Sequence, residues 1–250
     1  MKLETACGGV GANLLVLLHG LGTTGAVWQP MLANAHWKGS WLAPDLRGHG
    51  ASPHARSYAL GHHAADVADL ILDAGTWNET VIVGHSMGGA IALALASGWF
   101  GVQPSRALGL GIKIAWTEGE LSRLGDMAAA PARHFSTEQE ASARFLKVSG
   151  LVGLVAEGSP IARSGIRQDG HGWRLAADPM TARVGAPPMN ELVSAAHAPF
   201  HLARGQTDPM VTRPQLQAFD AGATDLPGSG HNAMVENPAA VWNWITATRA

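Results

Sequence analysis

Short apolar runs at residues 14–18, 41–44, 80–83, 107–114, 200–203 and 223–226 are separated by longer stretches of amphipathic or mixed character. LLVLL (14–18) and TVIV (80–83) carry almost no polar position, the pattern of strands buried on both faces of a sheet. Between the runs, residues 26–34, 60–74 and 88–97 are predicted helices; the first follows the turn GLGTTG and ends near Asn34. Strand and helix in alternation predict βαβ units, hence an α/β fold with a doubly wound, mostly parallel sheet. MGGAIALALAS (87–97) is apolar on every side and rich in Ala and Gly, which predicts a buried helix lying close to the sheet. The last predicted helix opens at Glu236-Asn237-Pro238, where proline suits the first turn and Glu suits the positive helix end. Only KLETA precedes the first core strand, so the opening edge of the sheet reads as truncated.

The alternation lapses between about residues 117 and 197. Ala141, Phe145, Val148, Val152 and Val155 recur there at helical spacing, followed by a Gly- and Pro-containing tract with GSPIARSG and DGHGWRL. A mostly helical insertion between two core strands is expected. It divides the chain into a core of residues 1–116 and 198–250 and an insertion of 117–197.

Composition narrows the function classes. Of 250 residues, 46% are hydrophobic and 14% charged, the latter well below the usual ~25%, so a large core can form and a disordered or fibrous chain is excluded. A formal charge of −2 gives no electrostatic footprint for nucleic acid or an anionic membrane. One cysteine, Cys7, excludes an intrachain disulfide and a cysteine-based metal site. MKLETACGG lacks the apolar core of a signal peptide, and the run 14–18 is too short to span a bilayer, so a soluble cytoplasmic protein is expected. His62 and His63 are adjacent, point in different directions on a helix and have no suitably spaced acids, so no metal is expected.

The strongest chemical signal is Gly84-His85-Ser86-Met87-Gly88, directly after TVIV and directly before the Ala-rich helix. A Gly-x-Ser-x-Gly at a strand-to-helix junction holds the serine on a strained, tight turn, and the flanking positions must lack side chains. The hydroxyl then stands exposed above the sheet edge at the positive end of a helix. A serine hydroxyl needs a base, and the base an orienting acid. His231, in PGSGHN after the run 223–226, can be carried back over the sheet edge by its Gly-rich approach. Asp208, in ARGQTDPM, ends the preceding strand 23 residues earlier, with Glu118, Asp220 and Asp225 as rivals. His134, His171, His197 and His201 read as structural or surface groups. His19-Gly20-Leu21-Gly22 follows the first core strand, and its Leu21 amide, with that of Met87, suits a developing oxyanion.

LLVLLHGLG, APDLRGHGAS, VIVGHSMGG, ARGQTDPM and LPGSGHNAMVENP, ordered from residue 14 to 238, resemble five blocks of the α/β-hydrolase superfamily, in its serine-nucleophile branch. The small esterases, lactonases and carbon–carbon hydrolases are the most similar groups. The resemblance implies an α/β-hydrolase fold whose insertion forms a cap or lid over Ser86. The family's nucleophile falls on Ser86, its acid on Asp208, its base on His231 and its oxyanion amides on Leu21 and Met87. The chain lacks the His-Gly-Gly-Gly turn of another esterase branch, and carries serine where dehalogenases and epoxide hydrolases of the superfamily carry aspartate.

The expected partner is therefore a small-molecule ester, lactone or ketone, with no cofactor. The leading reading is a serine hydrolase acting on a carboxylic ester or lactone. A carbon–carbon hydrolase on a diketone, and a non-catalytic ligand receptor on the same fold, are the alternatives. Trp28, Trp116, Met210 and Val211 are candidate pocket walls, since they fall near predicted strand ends or catalytic positions. Asp45 and Arg47 read mainly as loop architecture, while Arg47, Arg163 and Arg167 are candidates for binding a substrate carboxylate. Cys7 reads as a filler in a terminal strand.

Overall fold

Alternate positions of the buried strands feed opposite faces of one sheet, and this settles the layering. In a computed structural model describing residues 1–248, Leu15, Leu17, Val81 and Val83 belong to one core cluster, and Leu14, Val16, Leu18 and Ile82 to the other. All eight are fully buried. Continuous apolar runs are therefore needed here, because helices cover both faces.

In chain order the first half comprises β1 (Thr5–Gly9), β2 (Asn13–Leu18), a 3₁₀ turn at Gly25–Trp28, α1 (Gln29–Leu32), β3 (Ser40–Pro44), α2 (Leu60–Ala74), β4 (Glu79–His85), α3 (Met87–Ala96) and β5 (Arg106–Leu110). There follow α4 (Glu118–Ala129), β6 (His134–Phe135), α5 (Glu138–Val148), α6 (Pro160–Ser164), β7 (Ile166–Asp169), β8 (Gly172–Leu175), a 3₁₀ turn at Pro179–Val184 and α7 (Met189–Ala195). The chain closes with β9 (Phe200–Gly205), α8 (Arg213–Gln217), β10 (Thr224–Leu226), α9 (Ala233–Glu236) and α10 (Pro238–Ala247). The main sheet has the order β1-β3-β2-β4-β5-β9-β10; β1 runs antiparallel to β3 and every other pairing is parallel. Among the described residues no helix is long and apolar enough to cross a membrane.

Several expectations are corrected. The opening edge is not truncated: β1 pairs with β3 along its whole length, Thr5 opposite Pro44 and Gly9 opposite Ser40. Exposure of its consecutive Ala6 and Cys7 hid it, and Cys7 is exposed rather than packed. The run 107–114 stops as a strand at Leu110 because Gly111 turns the backbone to φ +63°, and Ile112 then folds back onto α3, where a Cβ on Gly89 would lie 2.6 Å from it. The helix expected over 26–34 is a 3₁₀ turn followed by one short α-helical turn. Glu236 ends α9 instead of opening the last helix; Asn237 caps α10, its side chain accepting from the Ala240 amide.

The insertion is not wholly helical. It holds a three-stranded antiparallel sheet, β6-β8-β7, whose hairpin falls on the DGHGWRL tract. Of the helical series, Ala141 and Phe145 are buried in the core cluster of the main sheet, whereas Val148 and Val152 are exposed. α4 and α5 both begin with a Thr-x-x-Glu capping box, at Thr117/Glu120 and Thr137/Glu140, each satisfying amides that the first helical turn leaves unpaired.

Candidate active site

β4 delivers the chain to α3 through Ser86, which has φ 52° and ψ −115° and is the single non-glycine with positive φ among the described residues. Strain of that kind costs about 1–3 kcal/mol and persists only where the surroundings enforce it. They do so here. A Cβ on Gly84 would stand 2.0 Å from the Gly88 carbonyl oxygen, and one on Gly88 would stand 2.5 Å from that of Leu18. Both flanking positions are thus closed to any side chain. The Ser86 amide donates to the Leu110 carbonyl (2.8 Å), so the end of β5 pins the turn. The half-buried serine occupies the N-cap of α3, at the positive end of a fully buried helix.

Asp208 lies in the turn after β9 with its carboxylate shut off from solvent. Oδ1 accepts from the Met210 amide (2.8 Å), and Oδ2 accepts from His231 Nδ1 (2.9 Å). A carboxylate can only accept from neutral imidazole, so Nδ1 carries the proton and the Nε2 lone pair is left to the cavity. The loop that carries His231 is held by four sets of contacts. Thr207 donates through its amide and hydroxyl to the Ser229 carbonyl, and Glu236 accepts from the amides of Gly230 and Asn232. His85 donates from Nε2 to the His231 carbonyl (2.9 Å), with the two rings 4.6 Å apart. Burial holds the His85 imidazole well below its ordinary pKa, so it contributes no charge beside His231. Finally, Asn232 Nδ2 donates to the carbonyls of Ser149 (3.0 Å) and Gly150 (3.1 Å), tying this loop to the insertion.

The turn after β2 presses against the serine: a Cβ on Gly20 would lie 3.3 Å from Ser86 Cβ. The Gly20 carbonyl faces away, accepting from His19 Nδ1 (2.8 Å), the Thr23 hydroxyl (2.9 Å) and the Thr23 amide (3.2 Å). In a trans peptide the next N–H points the opposite way, so the Leu21 amide is turned from those partners toward the cavity side. On α3 the Ser86 carbonyl accepts from Gly89 and Ala90, which likewise leaves the Met87 amide pointing out of the helix end. Neither amide is bonded to another protein group among the described residues. Two neutral imidazoles lock this turn. His19 Nε2 accepts from the Leu46 amide (2.9 Å), and His49 Nε2 accepts from the Gly22 amide (3.1 Å) while its Nδ1 donates to the Arg47 carbonyl (3.0 Å). Burial lowers the pKa of His19 to about 4 and that of His49 to about 3.

A cavity of about 690 Å³ opens above these groups, lined by Leu21, Ser86, Met87 and His231 from the core and by parts of α4, α5 and the segment 184–187. Of the expected pocket walls, Trp116 and Met210 line it; Trp116 is held by its indole N–H on the Lys113 carbonyl (3.1 Å). Trp28 and Val211 do not. Trp28 sits on the inner side of its 3₁₀ turn, fully buried in the core, and Val211 points away from exposed Met210 into the cluster with Leu202 and Leu216.

The arginines proposed for carboxylate binding are engaged elsewhere. Arg47 pairs with buried Asp66 (2.6 Å), Arg163 with Glu138 (3.1 Å), and Arg167 donates to the Gly50 carbonyl. Asp45 is loop architecture, its carboxylate accepting from the amides of Gly25 and Ala51. Burial pushes that carboxyl's pKa up in spite of both donors. The rival acids are occupied or distant: Asp220 accepts from the Leu202 amide (2.7 Å), Asp225 faces Arg204 and Arg213, and Glu118 lies on the exposed first turn of α4. Reading the sequence missed Glu236, Asn232 and His49. Their signal is positional, since each lies within a quoted motif block but acts through a backbone amide or carbonyl that no residue pattern specifies.

A family model described as the alpha/beta hydrolase family matches residues 15–244. The chain belongs to that family. Full-length structural similarity agrees: the thioesterase domain from the curacin biosynthetic pathway superposes with a TM-score of 0.79 at 20% identity, covering 98% of both chains. E-2-(acetamidomethylene)succinate hydrolase gives 0.79 at 22% identity, covering 98% of this chain and 94% of the other. At these identities the likeness is one of fold. Among curated relatives, the putative carbamate hydrolase RutD of Variovorax paradoxus is 37% identical over 107 residues, 42% of this chain and 38% of its own. Lipase LipV of Mycobacterium tuberculosis is 36% identical over 87 residues, 35% of this chain and 33% of its own. The matched stretches span about a quarter to two fifths of such relatives' length.

Proposed function

We propose that the protein is a serine hydrolase that cleaves a carboxylic ester or lactone through an acyl-enzyme on Ser86. The observation that carries this reading is the 2.9 Å bond to a fully buried Asp208 carboxylate from Nδ1 of His231, which lines the same cavity as Ser86 on its strained turn. In the first half-reaction His231 Nε2 takes the Ser86 hydroxyl proton as Oγ attacks the carbonyl carbon. The carbonyl electron pair moves onto oxygen, where the Leu21 and Met87 amides receive it. The intermediate collapses, and the departing alkoxide takes the proton from His231. Water, giving a proton to His231 Nε2, then attacks the acyl carbon, and the acid leaves as Ser86 Oγ takes that proton back. Asp208 holds the imidazole in the required tautomer and stabilises the imidazolium. Residues 117–197 act as the cap that encloses the acyl group, and the reaction needs no cofactor.

A carbamate, which the RutD relative's name specifies, presents the same kind of carbonyl to the same attack. The murine relative named epoxide hydrolase 4 belongs to chemistry for which the superfamily places aspartate at the nucleophile, and position 86 here is serine. The test is covalent labelling with a fluorophosphonate followed by peptide mass spectrometry. The expected result is an adduct on Ser86 that is absent from Ser86→Ala and strongly slowed in His231→Ala. Folded protein that takes no label would overturn the hydrolase reading in favour of a ligand receptor.

A further inference from the structure

The cavity above Ser86 has an apolar body and an unbalanced charge. Five ionisable carboxylates and cations of core and insertion line it alongside the base: Lys113, Glu120, Arg123, Lys147 and Glu236. Three of them are spent. The Lys113 ammonium pairs with Glu120, whose carboxylate also accepts from Thr117 at the cap of α4, and Glu236 accepts from the amides of Gly230 and Asn232. Arg123 and Lys147 have no carboxylate within 4 Å among the described residues, although ion pairs do form elsewhere on the insertion, as between Arg163 and Glu138. They stand on two different helices, α4 and α5, and the other residues those helices contribute to the wall include apolar Leu124, Met127 and Val148.

We infer that Arg123 and Lys147 form a subsite for an anionic oxyacid group, carboxylate or phosphate, on the end of the substrate remote from the bond cleaved at Ser86. The inference rests on the serine-hydrolase reading and sharpens it: the substrate is an ester with an apolar middle and an anionic end. Arginine offers a planar fork matched to such a group, and lysine adds a point charge. Both side chains are exposed, so each contributes modestly and the effect is screened by salt. Together they are expected to favour an anionic ligand about tenfold over its neutral counterpart.

The experiment is calorimetric titration of the Ser86→Ala protein, in which turnover cannot interfere, with three ligands of equal length. These are a half-ester of a dicarboxylic acid, its neutral diester, and an ester ending in a phosphate monoester. The expected result is about tenfold tighter binding of at least one anionic ligand, shrinking as salt is raised; which of the two binds better identifies the oxyacid. Reversing both charges, Arg123→Glu with Lys147→Glu, should abolish that preference and create one for a diester ending in a quaternary ammonium group, a gain that misfolding cannot produce. Equal binding of charged and neutral ligands, no binding of any, or a preference that survives the double reversal overturns the subsite. Because binding is read without catalysis, a protein that binds anions but takes no fluorophosphonate would refute the hydrolase reading and leave the subsite standing.

Discussion

The edge of the main sheet and the insertion above it differ in how they hold their residues. At the sheet edge each candidate group has defined partners: Ser86 the backbone of Gly84, Gly88 and Leu110, the Leu21 amide a Gly20 carbonyl with three donors, and His231 the Asp208 carboxylate, on a loop whose amides Glu236 accepts. The insertion offers its cavity residues from amphipathic helices whose side chains have room to move, with Arg123, Met127, Lys147 and Val148 all exposed. Chemistry of one kind can therefore be kept at the edge while the insertion varies what is brought to it. Rigid placement is what a proton relay and two oxyanion donors require. A binding wall tolerates more.

The comparison breaks most sharply at the proposed nucleophile, Ser86. Ser86→Ala or His231→Ala should lower kcat by roughly 10⁴–10⁶-fold with folding retained, and Asp208→Asn by about 10⁴-fold, measured on whichever ester the protein turns over. Near wild-type activity in Asp208→Asn would overturn the assignment of Asp208 as the orienting acid. Next in size, Gly84→Ala should cost about 3 kcal/mol or more in chemical denaturation, because the new methyl meets backbone rather than a movable side chain. His49→Phe removes the acceptor for the Gly22 amide and should lower kcat by about 10²-fold with KM moved much less. Partial recovery in His49→Gln, which restores an acceptor, separates positioning from mere packing.

A smaller effect comes from pH. Burial holds His19 at about 4, His49 at about 3 and His63 at about 3, while the unfolded chain takes these protons near 6.5. The unfolded state therefore binds more protons between roughly pH 6.5 and 3, so stability is full above that window and is lost as pH falls through it. The slope is up to ~1.4 kcal/mol per pH unit for each histidine. Both ring nitrogens of His63 lack a partner among the described residues, so His63→Leu should flatten the acid limb and raise Tm at pH 5. Smallest of all, Val152→Ser on the exposed turn after α5 should change stability by less than ~0.5 kcal/mol, in contrast to any change at Gly84 or Gly88.

What could be read from the residues follows the same division. Asp208 and His231 are bonded to each other and His231 shares a cavity wall with Ser86, and the elbow was legible because a backbone with φ 52° flanked by such close contacts admits very few residue types. The buried strands were legible because both-sided burial demands unbroken apolar runs. Trp28 and Val211 misled because nearness in sequence does not decide which way a side chain faces: Met210 borders the cavity and its neighbour Val211 fills the core. The hairpin of β7 and β8 escaped notice because four-residue strands with arginines and an aspartate on them show no usable period. β1 was missed for a related reason, its Ala6 and Cys7 both being exposed.

The two bonds from Asn232 to the carbonyls of Ser149 and Gly150 join neighbouring positions of opposite character, since Asn232 directly follows His231 and Ser149 directly follows α5. A hinge cannot be placed between them without breaking both bonds. Any swing of α5 away from the cavity would pull on the residue beside the imidazole, and one wide enough to part those bonds would slacken the loop that aims Nε2. On the serine-hydrolase reading proposed above, displacement of α5 would therefore disturb the placement of the His231 imidazole as well as the cavity wall.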